Sequence, residues 1–187
     1  MRRAAIVIVS VLIVVTIAIF LAIGFFEGGF FFMAPSYSRT NRHLIANFDE
    51  LIFVANALSE LDYDFIEFRK DPLRGEEGYS MYVRTNQFNN GFPSGFVSDI
   101  IPVPNELEGH VAILFESGVS VISHSRNSIQ FSMWSTMSES RGMILSRTGD
   151  KPDGEQLIEV RQLSIENWYY YVNNFEKARA RNPHLFQ

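Results

Sequence analysis

The residue types able to move protons or hold ions gather in only two places. Asp62 and Asp64 stand two residues apart with Glu60 before them, and His124 sits between Ser123 and Ser125. Close carboxylates repel one another, which raises one proton affinity and makes such a pair a candidate for general-acid work or for holding a cation. Calcium needs about six to eight oxygens, more than these residues supply, so the plainer reading is the solvated acidic end of a helix followed by a strand start. His124 becomes a catalytic base only with a carboxylate in hydrogen-bond reach, and is otherwise a satisfied residue at the edge of a core face. His43, His110 and His184 are scattered. On a strand, His110 and Glu116 would stand about 20 Å apart, too far to cooperate. There is no Gly-rich phosphate loop, nucleotide fingerprint, His-Glu-x-x-His pair or Gly-x-Ser-x-Gly elbow. No catalytic constellation, metal, cofactor or nucleotide is therefore implied.

Aromatic residues offer more than the titratable ones. Phe88, Phe92 and Phe96 lie in a stretch from Asn86 to Ser98 rich in Asn, Gly, Pro and Ser, where Gly91, Pro93 and Gly95 forbid a stable helix. An irregular loop with three phenylalanines either tucks them into the core or offers them to a partner, because exposed apolar patches are costly unless used. The run Trp168-Tyr169-Tyr170-Tyr171 is a second candidate surface, since aromatic rings give large contact area at small entropic cost and also stack on sugars. Its plainer role is packing across a sheet with the hydroxyls at the rim.

These residues belong to a chain with a distinct front. Ala4 to Phe26 is a run of 23 residues without a charge, preceded by Arg2 and Arg3 and followed by Glu27 and Gly28-Gly29. As a helix it covers the roughly 30 Å hydrocarbon core of a bilayer with every backbone group satisfied internally. The flanking arginines favour residues 1–3 in the cytoplasm. A secretory h-region is shorter, about 7–15 residues, which favours a retained anchor, although Ala22-Ile23-Gly24 also provides small residues for cleavage after Gly24 and release as a secreted protein. Phe30-Phe31-Phe32-Met33 suits either the outer headgroup level or the first packed piece of the domain. The expected organisation is thus a cytoplasmic terminus at 1–3, a signal-anchor helix at 4–26, a linker at 27–39 and one extracytoplasmic domain at 40–187.

Composition narrows the domain's partners. Past residue 35 there are 14 basic and 20 acidic residues. Such a surface lacks the clustered Lys and Arg that nucleic acid or anionic lipid needs. The chain has no cysteine, which excludes disulfides, thiolate chemistry and a lipidated N-terminal Cys. No Asn-x-Ser/Thr acceptor occurs either, and a bacterial envelope protein fits best.

The elements follow from periodicity. Thr40 reads as a helix N-cap, and Leu44, Phe48, Leu51, Ala55 and Leu58, widened by Ile45 and Ile52, predict one amphipathic helix over 41–60. Alternation predicts strands over 63–68 and 79–84. His110 to Trp134 reads as three strands joined by tight turns at Ser117-Gly118 and Asn127-Ser128, with Ile113 facing Ile122, Val111 facing His124, His124 facing Phe131 and Ile122 facing Met133. Further strands are expected over 142–147 and 157–163; 167–172 has high β-propensity and reads as a strand, although Ile165, Trp168, Val172 and Phe175 also fit a helix capped by Ser164, and a short charged helix follows over 175–181. The sum is an α+β fold, a helix on an antiparallel sheet of about five to seven strands. The expected role is a membrane-anchored module that binds an envelope protein as an accessory, inhibitory or immunity-type factor. The alternative is a membrane-tethered hydrolase or glycan-binding module.

Overall fold

The computed structural model describes residues 34–70, 79–89, 92–136, 138–154 and 156–181. The anchor run, its cleavage point and the Phe30–Met33 cluster lie outside these residues. Among the described residues no helix is long and apolar enough to cross a membrane. Pro35 to Gln187 forms one compact unit.

Two helices open it, α1 (Tyr37–Ala46) and α2 (Phe48–Glu60). The single helix expected over 41–60 is therefore broken, and the break is Asn47. Its side-chain amide donates to the His43 carbonyl at 3.0 Å while its own backbone N–H donates to the same carbonyl at 3.1 Å, closing α1. Asn side chains compete with the helical ladder in this way. The cap is Ser36 rather than Thr40: its hydroxyl accepts from the Arg39 N–H, and Thr40 is buried a turn further in. The expected stripe is otherwise right, with Leu44, Leu51, Ala55 and Leu58 buried, but the break leaves Ile45 58 % exposed.

Next come β1 (Phe65–Lys70), β2 (Tyr79–Asn89) and β3 (Phe92–Ile101). The stretch read as an irregular loop is thus a long hairpin. A third helix follows, α3 (Asn105–Glu116), where strands were expected. Its buried side chains are Leu107, Val111 and Leu114, spaced four and three apart as a helix requires. The pairings of Val111 and Ile113 with β-residues consequently do not exist, and His110 and Glu116 are not strand neighbours.

The rest is sheet, with β4 (Val121–Ser125), β5 (Ser128–Ser135), β6 (Glu139–Ser146), β7 (Leu157–Gln162) and β8 (Trp168–Asn174), closed by helix α4 (Phe175–Arg181). All eight strands form one antiparallel sheet in the order β3-β2-β1-β4-β5-β6-β8-β7, against the five to seven expected; the 92–101 segment joins it and the first strand expected after His110 is the helix α3. The β4–β5 turn falls at Arg126-Asn127, so Ile122 faces Phe131 and His124 faces Ile129. This differs from the expected pairing by two residues, and a two-residue shift keeps every side chain on its face. Ile122, Ile129 and Phe131 are all fully buried. The β5–β6 pair is tight enough that a Cβ at Gly142 would collide with the Phe131 carbonyl.

One face of the sheet supplies Ile66, Phe68, Met81, Val83, Ile122, Ile129, Phe131, Met143, Trp168, Tyr170 and Val172 to a single buried cluster, and α1, α2 and α3 supply the other half. The α+β class with an antiparallel sheet holds.

Candidate functional site

Two regions concentrate groups whose polar or apolar surface is not used by the fold. The first is the outer edge of the sheet. In β3, residues 95–100 are all exposed, with Phe96 at 61 %, Val97 at 53 % and Ile100 at 52 %. Its hydrogen-bond direction can be deduced. In an antiparallel strand a residue's N–H and C=O point to the same side. Asn86, which faces Phe96, turns its N–H to an Asp64 carboxylate oxygen at 2.8 Å, on the β1 side and away from β3. The Asn86–Phe96 pair is therefore not hydrogen-bonded, and the N–H and C=O of Phe96, Ser98 and Ile100 face outward. Consistently, the Ile100 N–H donates to its neighbour Asp99's carboxylate at 2.7 Å instead of to β2. Pro93 fits here because an edge strand forgoes no ladder bond at an outward position.

Behind this edge, the sheet face away from the helices carries a run of rings and cations. The Arg84 guanidinium lies between the rings of Phe65 at 4.9 Å and Phe96 at 5.3 Å. Arg69 lies over Tyr82 at 5.9 Å. Each such contact stabilises by about 0.5–1 kcal/mol at an exposed site, and the Arg84 contact helps to hold Phe96 beside Phe65.

The second region is a cleft of about 210 Å³ lined by Ser59, Leu61, Asp62, Tyr63, Asp64, Thr85, His124, Arg126 and Arg147. The end of α2, the start of β1, the end of β4 and the end of β6 meet here. All three titratable candidates of the sequence, Asp62, Asp64 and His124, line it. His124 is 3 % exposed, and its Nε2 takes an N–H from Arg147 Nη1 at 3.0 Å. Arg147 Nη1 also donates to the Arg126 carbonyl at 3.3 Å. Burial first, and the Arg147 charge second, push the His124 pKa below its ordinary value. The ring is neutral, with its proton on Nδ1, which is buried without a partner among the described residues. Arg126 pairs with Asp64 at 3.3 Å. The neighbour of His124 is thus an arginine, where a catalytic dyad would place a carboxylate.

No known protein family, curated protein or solved structure matches the chain.

The remaining candidates are placed as follows. Trp168, Tyr169 and Tyr171, expected as a binding surface, are interior side chains, at 1 %, 7 % and 0 % exposure. Trp168 packs on Phe131 and Phe48 with ring centroids 5.7 and 6.4 Å away, and the Tyr171 hydroxyl hydrogen-bonds Ser132 Oγ at 2.7 Å, so both faces of β8 are occupied. Phe88 and Phe92 lie on β2 and β3, and their side chains are outside the described residues. His110 meets Glu50 of α2 through Nδ1 and stacks on Phe53 at 3.8 Å. Among the described residues no group of three or more His, Asp or Glu side chains is arranged to hold a metal.

Sequence reasoning missed Val97, Ile100, Arg126 and Arg147. Arg147 reaches His124 only because β4, β5 and β6 are consecutive antiparallel neighbours, which no local spacing reveals. Val97 and Ile100 were hidden by the Gly- and Pro-rich composition beside them.

Proposed function

We propose that this is a single-pass, membrane-anchored protein of the bacterial envelope, with residues 1–3 in the cytoplasm and 4–26 in the bilayer. Its extracytoplasmic α+β domain binds a partner protein by taking an extended segment of that partner along β3. The observation that carries the binding reading is the open edge itself: outward-facing backbone groups at residues 96, 98 and 100, of which the Ile100 N–H is held by its neighbour Asp99, flanked by exposed Phe96, Val97 and Ile100. An edge of this kind is a template for strand addition, in which main-chain hydrogen bonds supply affinity and side chains at alternate positions supply selectivity. The fitting partner segment presents apolar residues at every second position. The length and uncharged character of 4–26 support the anchor, and the acidic balance of the domain supports a protein partner over nucleic acid. The hydrolase reading is less well supported, because Arg147 occupies the nitrogen His124 would need as a base.

Ser98→Pro tests the binding reading. It removes an outward N–H and no bond to β2, so the fold survives while strand addition is blocked. Capture of a stoichiometric partner by the tagged full chain, lost in Ser98→Pro at unchanged thermal stability, is the expected result. Equal capture by both proteins would refute binding along β3.

A further inference from the structure

The cleft at the His124 end of the sheet is independent of the β3 edge, and its charges do not cancel in the ordinary way. Arg126 and Asp64 satisfy each other. Arg147 has no acidic partner among the described residues: it is held by two neutral acceptors, the His124 ring and the Arg126 carbonyl, both through Nη1. Arg147 is exposed, so its charge is met by solvent, and its Nε and Nη2 N–H groups make no hydrogen bond among the described residues. Asp62, which lines the same cleft, is exposed and makes no hydrogen bond or ion pair among the described residues. One cation and one anion line a single cleft without meeting.

We infer that this cleft binds an amino-acid-sized zwitterion, its carboxylate on Arg147 and its ammonium on Asp62. The planar guanidinium presents paired N–H groups that match a carboxylate bidentately, which is stronger and more directional than a point charge. An isolated anion would leave Asp62 unpaired and an isolated cation would leave Arg147 unpaired, whereas a zwitterion satisfies both. Size agrees. At about 210 Å³ the cleft is smaller than the pockets of drug-sized ligands, about 300–1,000 Å³, which suits a small polar molecule rather than a nucleotide or oligosaccharide. Ser59, Tyr63 and Thr85 supply hydroxyls around the ligand, and Leu61 an apolar wall. His124 is a positioning residue: as a neutral ring it offers Arg147 an acceptor lone pair and keeps the guanidinium aimed without neutralising it.

The test is a ligand-observed NMR titration of the purified full chain with L-serine, acetate and methylammonium. L-Serine should bind at least about tenfold more tightly than either half-molecule, a difference of about 1.4 kcal/mol. Asp62→Asn changes an exposed side chain, so the fold is kept; it should bring L-serine down to the affinity of acetate and leave acetate unchanged. Arg147→Gln should remove both. Ser98→Pro should alter none of these values, which separates a failure here from a failure of the β3 reading. L-Serine binding no tighter than acetate, or unchanged in Asp62→Asn, would overturn the assignment.

Discussion

The two edges of this sheet are treated in opposite ways. At the β7 edge, Tyr37 from α1 donates its hydroxyl to the Gln162 carbonyl at 2.8 Å and lies edge-on to Tyr170 at 6.0 Å. Arg161 covers the same ring at 4.2 Å, and Asn41 accepts the N–H of Ser164 at 2.8 Å just beyond the strand. That strand also shows charged and polar side chains, Glu159, Arg161 and Gln162. Covering an edge and charging it are the ordinary defences against unwanted strand pairing. At the β3 edge the comparable devices among the described residues are smaller: the Asp99 carboxylate on the Ile100 N–H, Pro93, and the register shift opposite Gln87 and Phe88. One edge is thus guarded by a helix, and the other presents exposed apolar side chains.

Four substitutions or titrations would break or sharpen this contrast. The largest effect belongs to the middle of the sheet, where burial is complete: Ile122→Asp places a charge at a fully buried position and should cost more than about 4 kcal/mol, so that the domain no longer melts cooperatively. Retained cooperativity in a calorimetric scan would show that the core face is wrongly assigned. At the guarded edge, Tyr37→Ala removes a hydrogen bond, an edge-on ring contact and a cation–π contact, together about 2 kcal/mol, read as a lower urea midpoint. It should also speed amide exchange in β7.

Acid probes two histidines, the buried His124 on β4 and the half-buried His43 on α1. His124 and His43 are both held below their ordinary pKa, chiefly by burial, so the unfolded chain binds the extra protons. Their contribution is complete above the unfolded value of 6.5 and is lost as pH falls below it toward the folded values. The melting temperature should fall over that range, and His124→Gln should flatten the fall. At the open edge Ile100→Ser should change stability by no more than about 0.5 kcal/mol, since nothing in the fold depends on that side chain. A larger loss would mean that the edge is structural.

Much of the architecture was legible because its signals are local. The stripe of α2, the β4–β5 hairpin, strand β8 and helix α4 each follow from periodicity or propensity within a dozen residues. Segment 110–116 was not, because Val111-Ala112-Ile113-Leu114-Phe115 is apolar throughout and a continuous run does not separate a buried strand from a helix. Asn86 to Ser98 misled for a different reason: Gly95, with φ 153°, and Pro93 argue against a strand in a sheet interior but are tolerated at an edge. The tyrosine run misled because propensity identifies a strand without saying that both of its faces will be covered. The cleft was half legible: Asp62, Asp64 and His124 attracted notice as residue types, but the arginine that defines their chemistry arrives from a distant strand.

The most direct measurement compares the two edges within one cell. A photo-crosslinking residue is placed at Ile100 in one protein and at Arg161 in another, and the full chains are irradiated in intact cells. The account predicts a single discrete adduct from position 100, lost when Ser98→Pro is added, and none from position 161. Adducts of the same kind from both positions, or an adduct at 100 that persists in Ser98→Pro, would contradict it.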